Sequence, residues 1–196
     1  RDCLLSRGLG DVYKRQLPIL RDSEVPLFES IIANKRPGKV LEIGTCIGYS
    51  ALRMAPFLGD GGTITTVEFD KARWQKAKDF IDRSPYKDVI TPLLGDGTEL
   101  SETLPGPWDL VFLDGPKGQY VRQLRQLMPK LMPGALIMAD NIGYHEMFYL
   151  EGHLPHKHRT AISRLREFMA LIEDRAHFET VFFENGDGMT VSRWKG

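Results

Sequence analysis

Two aspartates, an asparagine and a lysine are the residues of this chain whose types and spacing most readily do chemistry. Asp114 closes the apolar run Leu110–Leu113, and Asp140 closes Ala135–Ala139 with Asn141 beside it. If those runs are neighbouring strands, two carboxylates and one amide carbonyl converge at a single sheet edge. An all-oxygen set of that kind suits a hard divalent ion such as Mg²⁺, with water or substrate filling an octahedron. One strand-end Asp is usually a cap or an Asx turn; a pair on successive strands beside an Asn is more specific. Lys117 follows Asp114 by three residues. Beside a bound cation its pKa would fall through like-charge repulsion. It could then act as general base on a substrate hydroxyl, or be a solvated lysine at a helix start.

A second group lies earlier, in Val40-Leu41-Glu42-Ile43-Gly44-Thr45-Cys46-Ile47-Gly48-Tyr49-Ser50. An apolar strand, a glycine turn and a helix make a nucleotide-type cofactor site. The glycines form G-x-x-x-G, unlike the fingerprints of dinucleotide enzymes and phosphate loops. Ser50 is placed either to start the helix or to touch a ligand. Glu68 ends the next strand, about twenty residues past the second glycine, where a carboxylate can accept both ribose hydroxyls. Asp96, within Gly95-Asp96-Gly97, could accept from an adenine amino group. The bland alternatives are a solvated strand end for Glu68 and an Asx turn for Asp96. An NAD-dependent dehydrogenase would share Glu68 but would require the tighter glycine fingerprint.

Positioning these groups requires alternating strands and helices. The pattern predicts a helix capped by Asp22 or Ser23 and running to Asn34, then strands at 39–43, 63–69, 89–94, 109–113 and 135–139. Helices fall between them, one capped by Asp70 and another from about 119 to 131, bent or shortened at Pro129. After a polar loop at 141–156 come a helix at 160–173 and a hairpin of strands at 178–184 and 189–194, linked by Asn185-Gly186-Asp187-Gly188. The expected fold is α/β: a doubly wound, mainly parallel, seven-stranded sheet with a C-terminal antiparallel hairpin.

At 196 residues and 42% apolar content the chain fits one domain with a sizeable core. Lys plus Arg and Asp plus Glu are 26 each, so bulk charge gives no support to nonspecific nucleic-acid binding. No apolar run is long enough for a membrane span, and Leu4-Leu5 is too short for a signal-peptide core. Two cysteines, Cys3 and Cys46, make no disulfide framework, so a reducing cytoplasm is expected. Residues 1–16 show no clear period, and Gly10–Gln16 resembles translated sequencing-adapter residue. A non-native or disordered tail is expected there, ahead of a single domain at 17–196.

The ordered set Leu41–Thr45 with Gly48–Ser50, Phe112-Leu113-Asp114-Gly115-Pro116-Lys117-Gly118-Gln119-Tyr120, Ala139-Asp140-Asn141 and Gly186–Gly188 resembles the metal-dependent O-methyltransferases that use S-adenosylmethionine (SAM), the family of the catechol and caffeoyl-CoA enzymes. The resemblance covers about Leu17 to Trp194. It implies a Rossmann-like methyltransferase fold, with SAM held by Leu20, Glu42, Gly44, Gly48, Ser50, Glu68, Asp96, Gly97 and Asp114. It also implies Mg²⁺ on Asp114, Asp140 and Asn141, Lys117 as base with Asp114 at the catalytic centre, and a homodimer. Within the family the chain looks most like a bacterial branch that methylates 5-hydroxyuridine at the tRNA wobble position, in Lys117–Tyr120 and Arg164–Phe168. It departs from that branch at Gly115-Pro116 and in the Gly143–His156 loop.

The expected reaction is therefore methyl transfer to an acidic hydroxyl, on tRNA by that likeness or alternatively on a small catechol-like aromatic. A non-catalytic RNA- or SAM-binding module is the reading from another class, and the intact Asp114, Lys117, Asp140 and Asn141 argue against it. His153, His156, Lys157, His158 and Arg159 form a basic cluster, read as a solvated loop or as an RNA-phosphate contact. Tyr144, Phe148 and Tyr149 could stack on an aromatic substrate or meet a second copy.

Overall fold

The computed structural model describes residues 20–142, 159–184 and 188–196. The tail at 1–16, the substrate-side loop at 143–156 with its aromatic residues, the basic residues at 153–158 and Gly186-Asp187 lie outside them.

The elements run α1 (Val25–Lys35), β1 (Lys39–Ile43), α2 (Tyr49–Met54), β2 (Thr63–Glu68), α3 (Lys71–Asp82), β3 (Ile90–Leu94), α4 (Gly97–Thr103), β4 (Trp108–Leu113), α5 (Tyr120–Leu127), β5 (Leu131–Ala139), α6 (Arg159–Ile172), β6 (Phe178–Phe183) and β7 (Met189–Trp194). They build one seven-stranded sheet in the order β3-β2-β1-β4-β5-β7-β6. β7 runs antiparallel to both its neighbours, while the pairs from β3 to β5 are parallel. The expected architecture is the one found.

Alternation along the central strands divides the core into two layers, because successive side chains leave a strand on opposite faces. Val40, Leu110, Phe112 and Met138 pack with Phe28, Ile32 and Met54 on one face. Leu41, Val111, Leu113 and Ile137 pack with Tyr120, Leu124, Leu165 and Phe168 on the other. Because β1 and β4 are covered on both sides, their sequences read as mostly apolar runs, broken by Glu42 in β1 and Asp109 in β4. Trp108 and Phe112 are core residues.

Several strand ends, including those of β2 at Glu68 and β6 at Phe183, shift by one residue, and larger local differences occur in three places. α1 starts after Glu24, whose side chain makes no cap to the helix, rather than from an Asp22 or Ser23 cap. Pro26 in the first turn sets the backbone for a helix start without one. The helix after β4 ends at Leu127 and tightens into a 3₁₀ turn, Met128–Lys130, around Pro129. β5 begins four residues early, since Leu131 pairs with Trp108 before the register shifts at Met132–Gly134.

Candidate functional site

The parallel ladders end together, and their last residues turn into the site. β1 and β4 pair up to Ile43 and Leu113, and the Asp114 N–H donates to the Ile43 carbonyl at 2.8 Å. β4 and β5 pair up to Leu113 and Ala139, and the Asp140 N–H donates to the Leu113 carbonyl at 3.1 Å. Asp114 and Asp140 therefore stand on adjacent strands at the carboxyl edge, where open α/β sheets bind ligands.

A cavity of about 660 Å³ opens at this edge. Of the residues singled out in the sequence, Gly44, Glu68, Asp96, Gly97, Asp114, Lys117 and Asn141 line it. Leu20, Glu42, Gly48, Ser50 and Asp140 do not, although each is buried or packed close behind.

The glycine turn is shaped by its neighbours. Gly44 has φ +111°, and a Cβ there would overlap the backbone carbonyl of Asp114. The close approach is thus between the turns after β1 and β4. The turn is further tied down when the N–H groups of Gly44 and Thr45 donate to the Val67 carbonyl at 2.9 and 3.1 Å.

Glu42 points into the protein from β1 and accepts hydrogen bonds from the hydroxyls of Ser50 and Thr66. Burial pushes its carboxyl up to about 7; the two hydroxyls pull it down, and the Glu68 charge adds to the rise. Its contribution to a ligand would pass through the turn it braces. Glu68 sits at the cavity with both oxygens engaged. One accepts the Cys46 N–H at 2.7 Å and the other the Asp70 N–H at 2.9 Å. Each oxygen keeps a second lone pair for a ligand hydroxyl. The buried Cys46 thiol is pushed up to about 11, chiefly by desolvation.

Asp96 is the N-cap of α4: its carboxylate accepts the N–H groups of Thr98 and Glu99 at 2.7 and 3.1 Å. The Asx-type role read from the sequence is present, and one carboxylate oxygen remains over. Behind it, a Cβ on Gly97 would overlap Ile43 Cγ2.

At the other end, Lys117 Nζ lies 3.6 Å from Asp114 Oδ1 and donates to the Tyr120 hydroxyl at 2.8 Å. Burial raises the Asp114 pKa well above the carboxylate range. Lys117 opposes that rise, and the charges of Asp140 and Glu42 reinforce it. Asn141 is held at φ +54°, and its N–H donates to Asp140 Oδ1 at 2.8 Å. Three carboxylates thus crowd this edge. Among the described residues, no three His, Cys, Asp or Glu side chains form a ready metal cage. Two carboxylates with one amide oxygen nevertheless fit a hard cation that keeps several waters.

Several cavity residues escaped the sequence reading. Phe69, beside Glu68, is 76% exposed and lines the cavity, as do Arg73 and Thr98. A large aromatic following a strand-end carboxylate was a readable signal; the others come from helices that only the fold brings in. A second, more open groove between α5 and α6 carries Arg122, Arg125 and Arg164. Glu167 pairs with Arg125 at 3.4 Å and with Arg164 at 2.6 Å. No described helix is long and apolar enough to cross a membrane.

Comparison with known proteins bears on the fold and the family. A catechol O-methyltransferase from Niastella koreensis is 32% identical over 107 residues, which span 53% of this chain and 48% of that protein. The match to this relative therefore spans about half of its length. Tapetum-specific methyltransferase 1 of Arabidopsis thaliana is 26% identical over 189 residues, 94% of this chain and 80% of that one. In fold, the chain is similar to the O-methyltransferase TomG from Streptomyces achromogenes, solved in complex with SAM. The TM-score is 0.82 at 20% identity, covering 91% of this chain and 82% of that one. The O-methyltransferase family model matches residues 22–195. The seven-stranded sheet is that of the SAM-dependent methyltransferases, and this chain belongs to the O-methyltransferase family.

Proposed function

We propose that this protein transfers the methyl group of SAM to one hydroxyl of a small catechol-like aromatic, with a divalent cation such as Mg²⁺ at the Asp114–Asp140–Asn141 edge. The single observation that carries the proposal is that one cavity is lined by Glu68 and Gly97 at one end and by Asp114, Lys117 and Asn141 at the other. A nucleoside-bearing donor and a metal-held oxygen acceptor would meet between them. The names of the matched relatives favour a catechol over the tRNA acceptor expected from the sequence.

In this reading Glu68 accepts the ribose hydroxyls, and the flat face of Phe69 packs against the adenine. Asp96 offers its remaining oxygen to the base edge. Bound SAM supplies an electrophilic methyl on sulfonium, and a cation bound at the oxygen edge would favour the ionised acceptor. Lys117, as the neutral amine, takes the acceptor hydroxyl proton. The oxygen pair then forms the C–O bond as the C–S bond breaks, releasing S-adenosylhomocysteine. A phenolic hydroxyl starts from a pKa of about 10; Lys117 would take its proton, and a cation on the oxygen edge would supply charge that favours the oxyanion. Holding acceptor and methyl in line contributes about 7–11 kcal/mol of barrier reduction.

The test is transfer of label from methyl-labelled SAM to catechol and, separately, to bulk tRNA. Label in methylated catechol supports the proposal. Label in tRNA with none in catechol overturns the acceptor while leaving the chemistry.

A further inference from the structure

The buried hydroxyl of Tyr120 ties together groups the reaction needs, and nothing above gives it a role. Tyr120 is fully buried, and its ring packs edge-on against Phe168 of α6 at 5.4 Å between centroids. Lys117–Gln119 is a 3₁₀ turn leading into α5, and the Tyr120 N–H closes it onto the Lys117 carbonyl. Side chains three apart in such a turn eclipse one another, so Lys117 and Tyr120 meet on one side. The Tyr120 hydroxyl donates to the Leu113 carbonyl at 2.8 Å and lies 3.4 Å from the Asp140 carbonyl. A phenol has one proton to give. With that proton on the strand end, the hydroxyl can only accept from Lys117.

We propose that Tyr120 is a positioning residue that holds the Lys117 nitrogen at the edge of β4 and β5 with one N–H turned inward. The hold fixes where the lysine nitrogen meets the acceptor hydroxyl. The inference rests on Lys117 as base. The ring, pinned by Phe168, cannot follow the lysine outward, so the anchor is fixed to the same strand ends that carry Asp114 and Asp140.

Tyr120→Phe removes the anchor and keeps the ring. The Leu113 carbonyl retains the Asp140 N–H, so the variant is expected to fold and bind SAM within about twofold of wild type. With catechol as acceptor, kcat should fall about 10- to 100-fold, the scale of a misplaced catalytic group, with KM little changed. In a Lys117→Ala background the same substitution should cost nothing more, because groups acting through one another are non-additive. An unchanged kcat in Tyr120→Phe, or the full extra loss in the double variant, overturns the proposal. If Lys117→Ala alone leaves kcat intact, the base assignment falls and the positioning role with it. Independently of any acceptor, a crystal structure of Tyr120→Phe should show Nζ displaced from its place beside Asp114. An unmoved Nζ would contradict the proposal.

Discussion

Asp114 and Asp140 stand side by side because Leu113 pairs with Ala139 and the ladder runs one residue further, through the Asp140 N–H to the Leu113 carbonyl at 3.1 Å. Both residues are therefore placed by backbone pairing, which brings their charges within each other's influence. Burial first, and the Asp140 and Glu42 charges after it, hold the Asp114 pKa high against the pull of Lys117.

The first prediction concerns metal and pH. A cation needs the ionised carboxylate, so a proton on Asp114 competes with it. Mn²⁺ or Mg²⁺ affinity, measured by calorimetry, should tighten as pH rises from about 6 to about 8.5. Asp114→Asn should weaken binding and flatten the dependence. Affinity that is flat with pH in the wild type would contradict the burial argument.

A second prediction concerns Glu42. Its folded pKa, raised to about 7 from an ordinary 4.5, means the folded state keeps a proton that the unfolded state has released. Stability from this group is fully present below the unfolded pKa and is lost as pH rises through the window up to the folded pKa. The slope for one group is at most about 1.4 kcal/mol per pH unit. Melting temperatures of the SAM-free protein should fall across that window, and Glu42→Gln should fall less steeply. Equal slopes in the two proteins would show that Glu42 is not the group responsible.

Gly44 provides a third. Ala at φ +111° carries backbone strain, and its Cβ would collide with the Asp114 carbonyl. Strain of about 1–3 kcal/mol plus an overpacking cost of similar size should lower unfolding stability by more than about 2 kcal/mol in urea titrations. A near-neutral Gly44→Ala would mean the two turns can separate freely.

What was legible in the sequence follows from how local each signal is. Strand ends could be read because apolar runs stop at Asp114 and Asp140, and Asp70 announced the start of α3 by capping it, accepting the Arg73 N–H at 2.9 Å. The glycine turn was legible as a turn, yet the reason for Gly44 lies in β4, far along the chain. Glu42 looked like a ligand contact; its burial depends on Thr66, which arrives only when β2 pairs with β1. Tyr120 stood inside a recognised motif, but its hydroxyl acquires meaning only from the two strand ends it meets. Phe69 was passed over as the end of a strand.

A fourth prediction concerns surface charge. Arg122 and Arg125 lie in the groove between α5 and α6, where Glu167 already pairs with Arg125. Reversing both to Glu should leave transfer to catechol within about twofold, since exposed charges matter little to a small neutral acceptor. A large loss with catechol would place the acceptor on that groove instead of at the sheet edge.

The central claim is that the acceptor oxygen is held beside Asp114 and Asp140 on a divalent cation. The most direct measurement is initial methyl transfer from labelled SAM to catechol and to phenol, which lacks the second oxygen, with Mg²⁺ and with EDTA. Transfer to catechol alone, abolished by EDTA and restored by Mg²⁺, is the predicted result; transfer that persists in EDTA, or that treats phenol and catechol alike, would contradict it.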